Sequence, residues 1–307
     1  MLKPRALKPG DRIAIVAPAS PFARDEFDLG VVELRALGFD PVWDESVFAR
    51  DDYLAGPAER RAEAFRRAWA DPAIAAVVAA RGGYGSVQLL PLLDPLMIIE
   101  TPKAFIGYSD TTSILAWLTL SCRITAFHGP MVEGRFAHGA AGYDRDTFTR
   151  CLCRTEPAGP IVHPQVVALH GGEAAGMLVG GTLTQIVASL GTPYAFDPPR
   201  ECVLFLEDVG ERPYRIDRML TQLRLSGILA RASALVFGEM TRCEEPGGDP
   251  AVRDVVASLI RDFPGPVLFG LPSGHTDGAT LTLPLGVRAR VLAGAAPAVV
   301  IEEAAVC

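Results

Sequence analysis

The chain has 307 residues, roughly two domains at about 150 residues each. Hydrophobic residues make up 49% and charged residues 21%, which supplies apolar material for real cores and excludes a disordered polymer. A formal net charge of -7 argues against a nucleic-acid binder, which would want a basic footprint.

Near the N-terminus, Lys3, Arg5 and Lys8 precede an apolar patch and Ala17-Pro18-Ala19, a loose imitation of a secretory leader. Asp11 and Arg12 interrupt it, and the apolar run is shorter than the about 7–15 residues such a segment needs. Residues 12–16 therefore read as a first strand. Residues 27–37 have helical spacing and stop at Gly38, a helix C-terminal signal. A short strand at 40–43 follows, then a charged amphipathic helix at 57–70 ended by Asp71-Pro72. The apolar run 74–79 reads as a fully buried strand. Next come a Gly-rich turn at 81–85, a helix through Leu90, a strand at 104–106, a helix from Asp110 to Leu120 and a strand at 125–127. This alternation predicts a mostly parallel sheet with helices on both faces.

Residues 134–172 are softer, rich in Gly, Pro and His. The division expected from this is an N-terminal α/β domain at 1–150, a linker at 151–172 and a C-terminal domain at 173–307. Residues 174–196 carry no formal charge, which raises the question of a membrane span. Five residues there are Gly or Pro (Gly176, Gly180, Gly181, Gly191 and Pro193), and Thr182, Thr184, Gln185 and Ser189 are polar, so a buried strand–turn–helix is the better reading. Strands are expected at 202–206 and 234–237, helices at 214–225 and 250–262, and short strands near 267–269, 279–283, 287–291 and 298–301. The second domain is thus α+β or mixed. Six scattered cysteines in a chain of this size read as buried free thiols in a reducing cytosol, and the protein as soluble and cytoplasmic.

Four segments could carry chemistry. In Gly107-Tyr108-Ser109-Asp110, a buried strand runs into a serine and a helix starts at once. That geometry exposes a hydroxyl at a sheet edge and aims helix amides at the same place, as in a nucleophile elbow. The alternative is a plain N-cap by Ser109 or Asp110. In Arg81-Gly82-Gly83-Tyr84-Gly85, glycines allow close approach to a ligand, and Gly82 or Gly83 could offer an amide to an oxyanion; the alternative is a tight turn. Glu207 and Asp208 end an apolar strand, where Glu207 could orient an imidazole. The alternative makes both solvated turn residues or partners of Arg212 and Arg215. Finally, His275 sits in the Gly-containing loop Pro272-Ser273-Gly274-His275. His138, His163 and His170 read as structural or surface residues, whereas His128, at a strand end, could line a pocket. No H-E-x-x-H or C-x-x-C pair exists, so no metal site is expected, and Arg81–Gly85 is neither a P-loop nor G-x-G-x-x-G, so no nucleotide or other cofactor is expected.

Together these motifs resemble the LD-carboxypeptidase family, of the murein tetrapeptide carboxypeptidase and microcin-resistance type. The resemblance covers nearly the whole chain: the opening from Leu7 to Ile13, Ala17-Pro18-Ala19-Ser20, Arg81 to Gly85, Gly107 to Asp110, Gly180 to Leu183, Glu207 with Tyr214 to Leu220, and Pro272 to His275. It implies a flavodoxin-like (class I glutamine-amidotransferase-like) parallel-sheet N-terminal domain and a swivelling β/β/α C-terminal domain. It further implies a serine peptidase whose triad is split between them, with Ser109 as nucleophile, Glu207 as acid and His275 as general base. The oxyanion hole would use the amides of Asp110 and Gly83. The implied substrate is a muropeptide of cell-wall recycling, cleaved at the L,D bond before a terminal D-Ala. Such a substrate presents a carboxylate, for which Arg81 and Arg212 are candidates unless both are ion-pair partners; Gly82, Tyr84 and His128 complete the expected substrate-binding set. Neither nucleic acid nor membrane is an expected partner, and a homodimer is the default assembly. The competing readings are a microcin-immunity-like peptidase cleaving peptidyl or aminoacyl nucleotides, a non-catalytic two-domain ligand-binding protein, and an α/β-hydrolase esterase. The first would want an aromatic platform, and Phe136, Tyr143 and Phe148 do not clearly supply one. The last lacks an HGGG-type motif before the serine.

Overall fold

All six residues from Ile74 to Ala79 are buried, which requires a sheet covered on both faces. In the computed structural model, which describes residues 1–307, this segment lies inside a mainly parallel sheet. The strands are β1 (Arg12–Val16), β2 (Asp40–Val42), β3 (Ile74–Ala79), β4 (Ala104–Gly107) and β5 (Ala126–His128). They lie side by side in the order 2-1-3-4-5, the flavodoxin-like doubly wound order. The connecting helices are α1 (Arg24–Ala36), α2 (Ala58–Ala70), α3 (Pro95–Glu100) and α4 (Thr112–Ala116). Phe27, Val31 and Leu34 are buried at helical spacing on α1, as are Ala62, Phe65 and Trp69 on α2.

The rest of the chain adds α5 (Arg145–Leu152), β6 (Gly159–Ile161), β7 (Val167–His170), β8 (Gly172–Thr182) and α6 (Leu183–Ser189). Then follow β9 (Cys202–Glu207), α7 (Pro213–Leu225), β10 (Ala232–Gly238), α8 (Val252–Leu259) and β11 (Val267–Leu271). The chain ends in β12 (Leu283–Leu285), β13 (Arg288–Ala293) and β14 (Ala298–Ile301). Strands β8 to β11 are parallel neighbours; β13, β14 and β6 extend one edge antiparallel, and β7 closes the other. The molecule is thus a mixed α/β protein of two domains.

Several elements depart from the expected ones. The helix expected through Leu90 is a 3₁₀ segment, Ser86–Leu92, because Pro91 has no amide to continue an α-helix. The helix expected from Asp110 to Leu120 divides into a tight turn at Ser109–Thr111, α4 and a wide π turn at Trp117–Ser121. The strand expected at 279–283 lies at Leu283–Leu285 and joins the first sheet, antiparallel to β5. Residues 151–172, expected to link, contribute β6 and β7 to opposite edges of the second sheet.

One apolar core runs from Val78 and Phe105 to Phe205 and Val291, and so spans both sheets. A second, around Leu204, Leu220 and Val256, lies under α7 and α8. No helix is long and apolar enough to cross a membrane. The six cysteines are free, and burial pushes the Cys151 thiol up to about 12.

Candidate active site

Ser109 stands two residues past the end of β4, after Tyr108, and holds φ at +63°. A non-glycine residue in this region carries about 1–3 kcal/mol of strain and persists only where its surroundings enforce it. Gly82 leaves the room this conformation needs: a Cβ there would stand 2.8 Å from Ser109 Cβ and 2.9 Å from its Oγ. Thr111 Oγ1 donates to the Tyr108 carbonyl at 2.8 Å, closing the turn. Neither N-cap alternative is realised. Ser109 lies within the first turn, and the buried Asp110 carboxylate accepts from the amides of Ser86 at 2.8 Å and Gly85 at 3.3 Å. Asp110 therefore ties the serine turn to the Gly-rich loop after β3. Gly83 in that loop has φ at +101° and packs on Ser20, whose Oγ accepts from the Tyr84 amide at 3.0 Å.

From the second sheet, β9 delivers Glu207, whose side chain is wholly buried. Glu207 Oε2 accepts from His275 Nδ1 at 2.8 Å and from the His275 amide at 2.9 Å, while Oε1 accepts from Thr182 Oγ1. The other imidazole nitrogen, Nε2, lies 3.1 Å from Ser109 Oγ. The loop after β11 permits this through Gly274, at φ +84°, where a Cβ would stand 2.8 Å from the Glu207 carboxyl carbon. Glu207 is neither solvated nor paired with Arg212 or Arg215, which face Glu245 and Glu211.

Burial opposes ionisation of both partners, yet each favours the charged form of the other. Desolvation works to raise the Glu207 carboxyl, but the His275 charge and hydrogen bond outweigh it and hold the group well below the usual carboxylate range. Desolvation works to lower His275, but Glu207 outweighs it and leaves the imidazole raised. Neighbouring Asp208 has no such partner: burial, with the Glu207 charge, pushes it up to about 6. Its carboxylate accepts from Thr184 N and Oγ1 at the start of α6.

The remaining candidates are spread around this chain of contacts. Arg81 pairs with Glu133 at 3.0 Å and donates to the Pro21 carbonyl. Arg212 lies half-exposed, 3.6 Å from Glu245. Tyr84 is exposed within the Gly-rich loop, and its ring centroid lies 5.8 Å from that of Tyr53. His128 does not line a pocket. Its side chain is fully buried behind Glu207, with Nδ1 on Ser273 Oγ at 2.9 Å and an unpartnered Nε2 4.0 Å from Glu207 Oε1. Burial pulls it down to about 4, so it is neutral near pH 7. Phe136, Tyr143 and Phe148 are also buried, packed edge-on to one another, and offer no stacking platform.

Sequence reasoning missed Thr182 and Arg135. Thr182 ends β8, and its hydroxyl meets Glu207 only because β8 and β9 are parallel neighbours with these two residues in register. Arg135 bonds the loop around His275 from the Gly-rich segment after β5. No three His, Cys, Asp or Glu side chains converge as a metal site. The Ser109–His275–Glu207 chain can move a proton from a hydroxyl to an imidazole whose cationic form a buried carboxylate stabilises, the requirement of acyl transfer.

Residues 13–129 match the model of the LD-carboxypeptidase N-terminal domain, and residues 175–291 that of the LD-carboxypeptidase C-terminal domain. A putative carboxypeptidase of Streptomyces coelicolor is 35% identical over 95% of this chain and 93% of its own length. The murein tetrapeptide carboxypeptidase of Pseudomonas aeruginosa is 32% identical over 86% of this chain and 88% of its own. The microcin C7 self-immunity protein MccF of Escherichia coli is 28% identical over 89% and 87%. Among solved structures, unliganded MccF superposes with a TM-score of 0.90 at 25% identity, covering all of both chains. A muramoyltetrapeptide carboxypeptidase from Oxalobacter formigenes gives 0.83 at 29% identity, over 95% of this chain and 99% of that one.

Proposed function

The chain belongs to the LD-carboxypeptidase family, a serine carboxypeptidase family, and we propose that Ser109, His275 and Glu207 form its catalytic triad. The observation that carries this is the unbroken contact chain from Ser109 Oγ through both imidazole nitrogens to a fully buried carboxylate. The proposed reaction is release of the terminal D-Ala from murein tetrapeptides, in the cytoplasm, during cell-wall recycling.

His275 Nε2 takes the Ser109 proton as Oγ attacks the carbonyl carbon of the L,D amide bond. Glu207 fixes the imidazole with Nδ1 protonated and stabilises the imidazolium. The tetrahedral oxyanion is received by the amides of Asp110 and Gly83, each donor contributing about 3–4 kcal/mol by analogy with other oxyanion holes. The Gly83 amide makes no hydrogen bond within the protein, which supports this assignment. When the C–N bond breaks, the imidazolium gives its proton to the departing D-Ala nitrogen. Water, deprotonated by His275, then attacks the acyl-enzyme carbonyl, and as the acyl C–Oγ bond breaks the imidazolium returns that proton to Ser109 Oγ. No step needs a metal or cofactor. Tyr84 and Gly82 are the proposed substrate contacts; Arg81 and Arg212 could meet the terminal carboxylate only by leaving their partners Glu133 and Glu245.

The test is mass spectrometry of L-Ala-D-Glu-meso-diaminopimelate-D-Ala incubated with the protein. Wild type should yield tripeptide and free D-Ala; Ser109→Ala should yield neither. Full turnover by Ser109→Ala would refute the mechanism. Cleavage of an aminoacyl nucleotide with no action on tetrapeptide would favour the microcin-immunity alternative.

A further inference from the structure

Arg135 comes from the first domain and reaches into the loop of the second that carries His275. Its Nη2 donates to the carbonyls of Gly274 at 2.7 Å and Thr276 at 2.9 Å. Its Nη1 donates to the carbonyls of Gly278 at 3.0 Å and Gly142 at 3.4 Å, and Nε donates to the Tyr108 hydroxyl at 3.3 Å. Tyr108 is the residue before Ser109, and its ring meets the His275 imidazole edge-on at 5.1 Å. The guanidinium carbon lies 5.7 Å from the centroid of the same ring.

A guanidinium has five N–H groups in a fixed planar fork. Here each has one acceptor, all five are neutral oxygens, and no carboxylate lies within ion-pair range of Arg135. Two consequences follow. No donor remains for a substrate carboxylate, so this cation beside the site is not its receptor. The five acceptors also lie on both sides of the domain junction, so the side chain fixes one domain's loop against the other's nucleophile turn. An ammonium, with three donors at one point, does not span those positions.

We propose that Arg135 is a positioning residue, which clamps the 274–278 loop to Tyr108 and thereby sets the approach of His275 to Ser109. This rests on the reading of Ser109 as nucleophile and His275 as base. A misplacement of about 1 Å at a reacting pair costs on the order of 10²-fold in rate.

The experiment follows covalent labelling of Ser109 by a fluorophosphonate, which requires an activated serine but not the natural substrate. Wild type should label and Ser109→Ala should not. Arg135→Ala should label about 100-fold more slowly, and millimolar guanidinium chloride should recover at least about 10-fold of the loss by refilling the clamp. Arg135→Lys should remain slow, and guanidinium should not help it, because the lysine stem occupies the site. If Arg135→Ala does not fold, Arg135→Lys at an unchanged melting temperature decides: slow labelling supports the clamp and a wild-type rate overturns it. For a folded Arg135→Ala, a wild-type rate, or a slow rate that guanidinium leaves untouched, also overturns it. An unlabelled wild type removes the serine reading itself, a different failure from a labelled wild type with an equally fast Arg135→Ala.

Discussion

Gly82→Ala tests the site at its tightest backbone contact. The added methyl carbon would stand 2.8 Å from Ser109 Cβ and 2.9 Å from Oγ, whereas ordinary contact begins at 3.4 Å. Gly82 has no positive φ, so alanine meets no backbone strain there and the fold has no separate reason to fail. Ser109 must give way instead: because its Cβ is itself too close, the turn tied by Asp110 to the amides of Gly85 and Ser86 has to shift, and it carries Oγ with it. At about 10²-fold per 1 Å of misplacement, the required retreat lowers kcat about 10- to 100-fold. The assay is steady-state D-Ala release from tetrapeptide, with thermal melting of the same preparations. Gly294→Ala is the control, since its Cβ would meet nothing within 4 Å. Wild-type kcat in Gly82→Ala, or a loss explained by a lower melting temperature, would refute the reasoning.

Two further outcomes follow from the electrostatics of the acid and base. His275 must be neutral to accept the Ser109 proton, and Glu207 raises its pKa, so kcat/KM should fall on acidification with a midpoint above the ordinary imidazole value of 6.5. Glu207→Gln removes the raising charge while burial still lowers the group; the acid limb should move to lower pH as the plateau drops by up to about 10⁴-fold. An unmoved limb would mean that another group titrates. Thr182→Val deprives buried Glu207 Oε1 of its hydroxyl donor, at a cost of about 1–3 kcal/mol. It should lower the melting temperature measurably, and an unchanged melting temperature would show that the contact contributes nothing.

How much of this was legible in the sequence depends on how local each cause is. The strand Ile74–Ala79 announces itself because burial on both faces demands a continuous apolar run. Ser109 and Glu207 were visible because each ends such a run, at the sheet edge where open α/β folds place chemistry. Helix α5 also carried a local signal, Asp144 capping the Thr147 amide at 2.7 Å, but the surrounding Gly and His residues masked it. By contrast, Leu283–Leu285 is three residues long, and its partner β5 lies far back in the chain, so nothing local could assign it to the first sheet. His128 ends a strand as Glu207 does, yet it is sealed in, with the Phe205 ring edge-on at 5.2 Å. Arg135 was illegible for another reason: four of its acceptors are backbone carbonyls, which leave no mark on residue type.

The same contacts bear on how the two domains cooperate. The proposed nucleophile and base follow strands of different sheets, so a loosely hinged pair of domains would need closure before a proton could pass between them. Here β12 leaves the second domain to pair with β5 of the first. The Thr182 amide donates to Thr112 Oγ1 at 3.1 Å, one apolar core passes through both sheets, and Arg135 spans the junction above them. These ties hold the two sheets in the arrangement that brings His275 Nε2 to 3.1 Å from Ser109 Oγ. On the proposed mechanism, binding energy that such ties spare from assembling the site goes to orienting the substrate and stabilising the oxyanion.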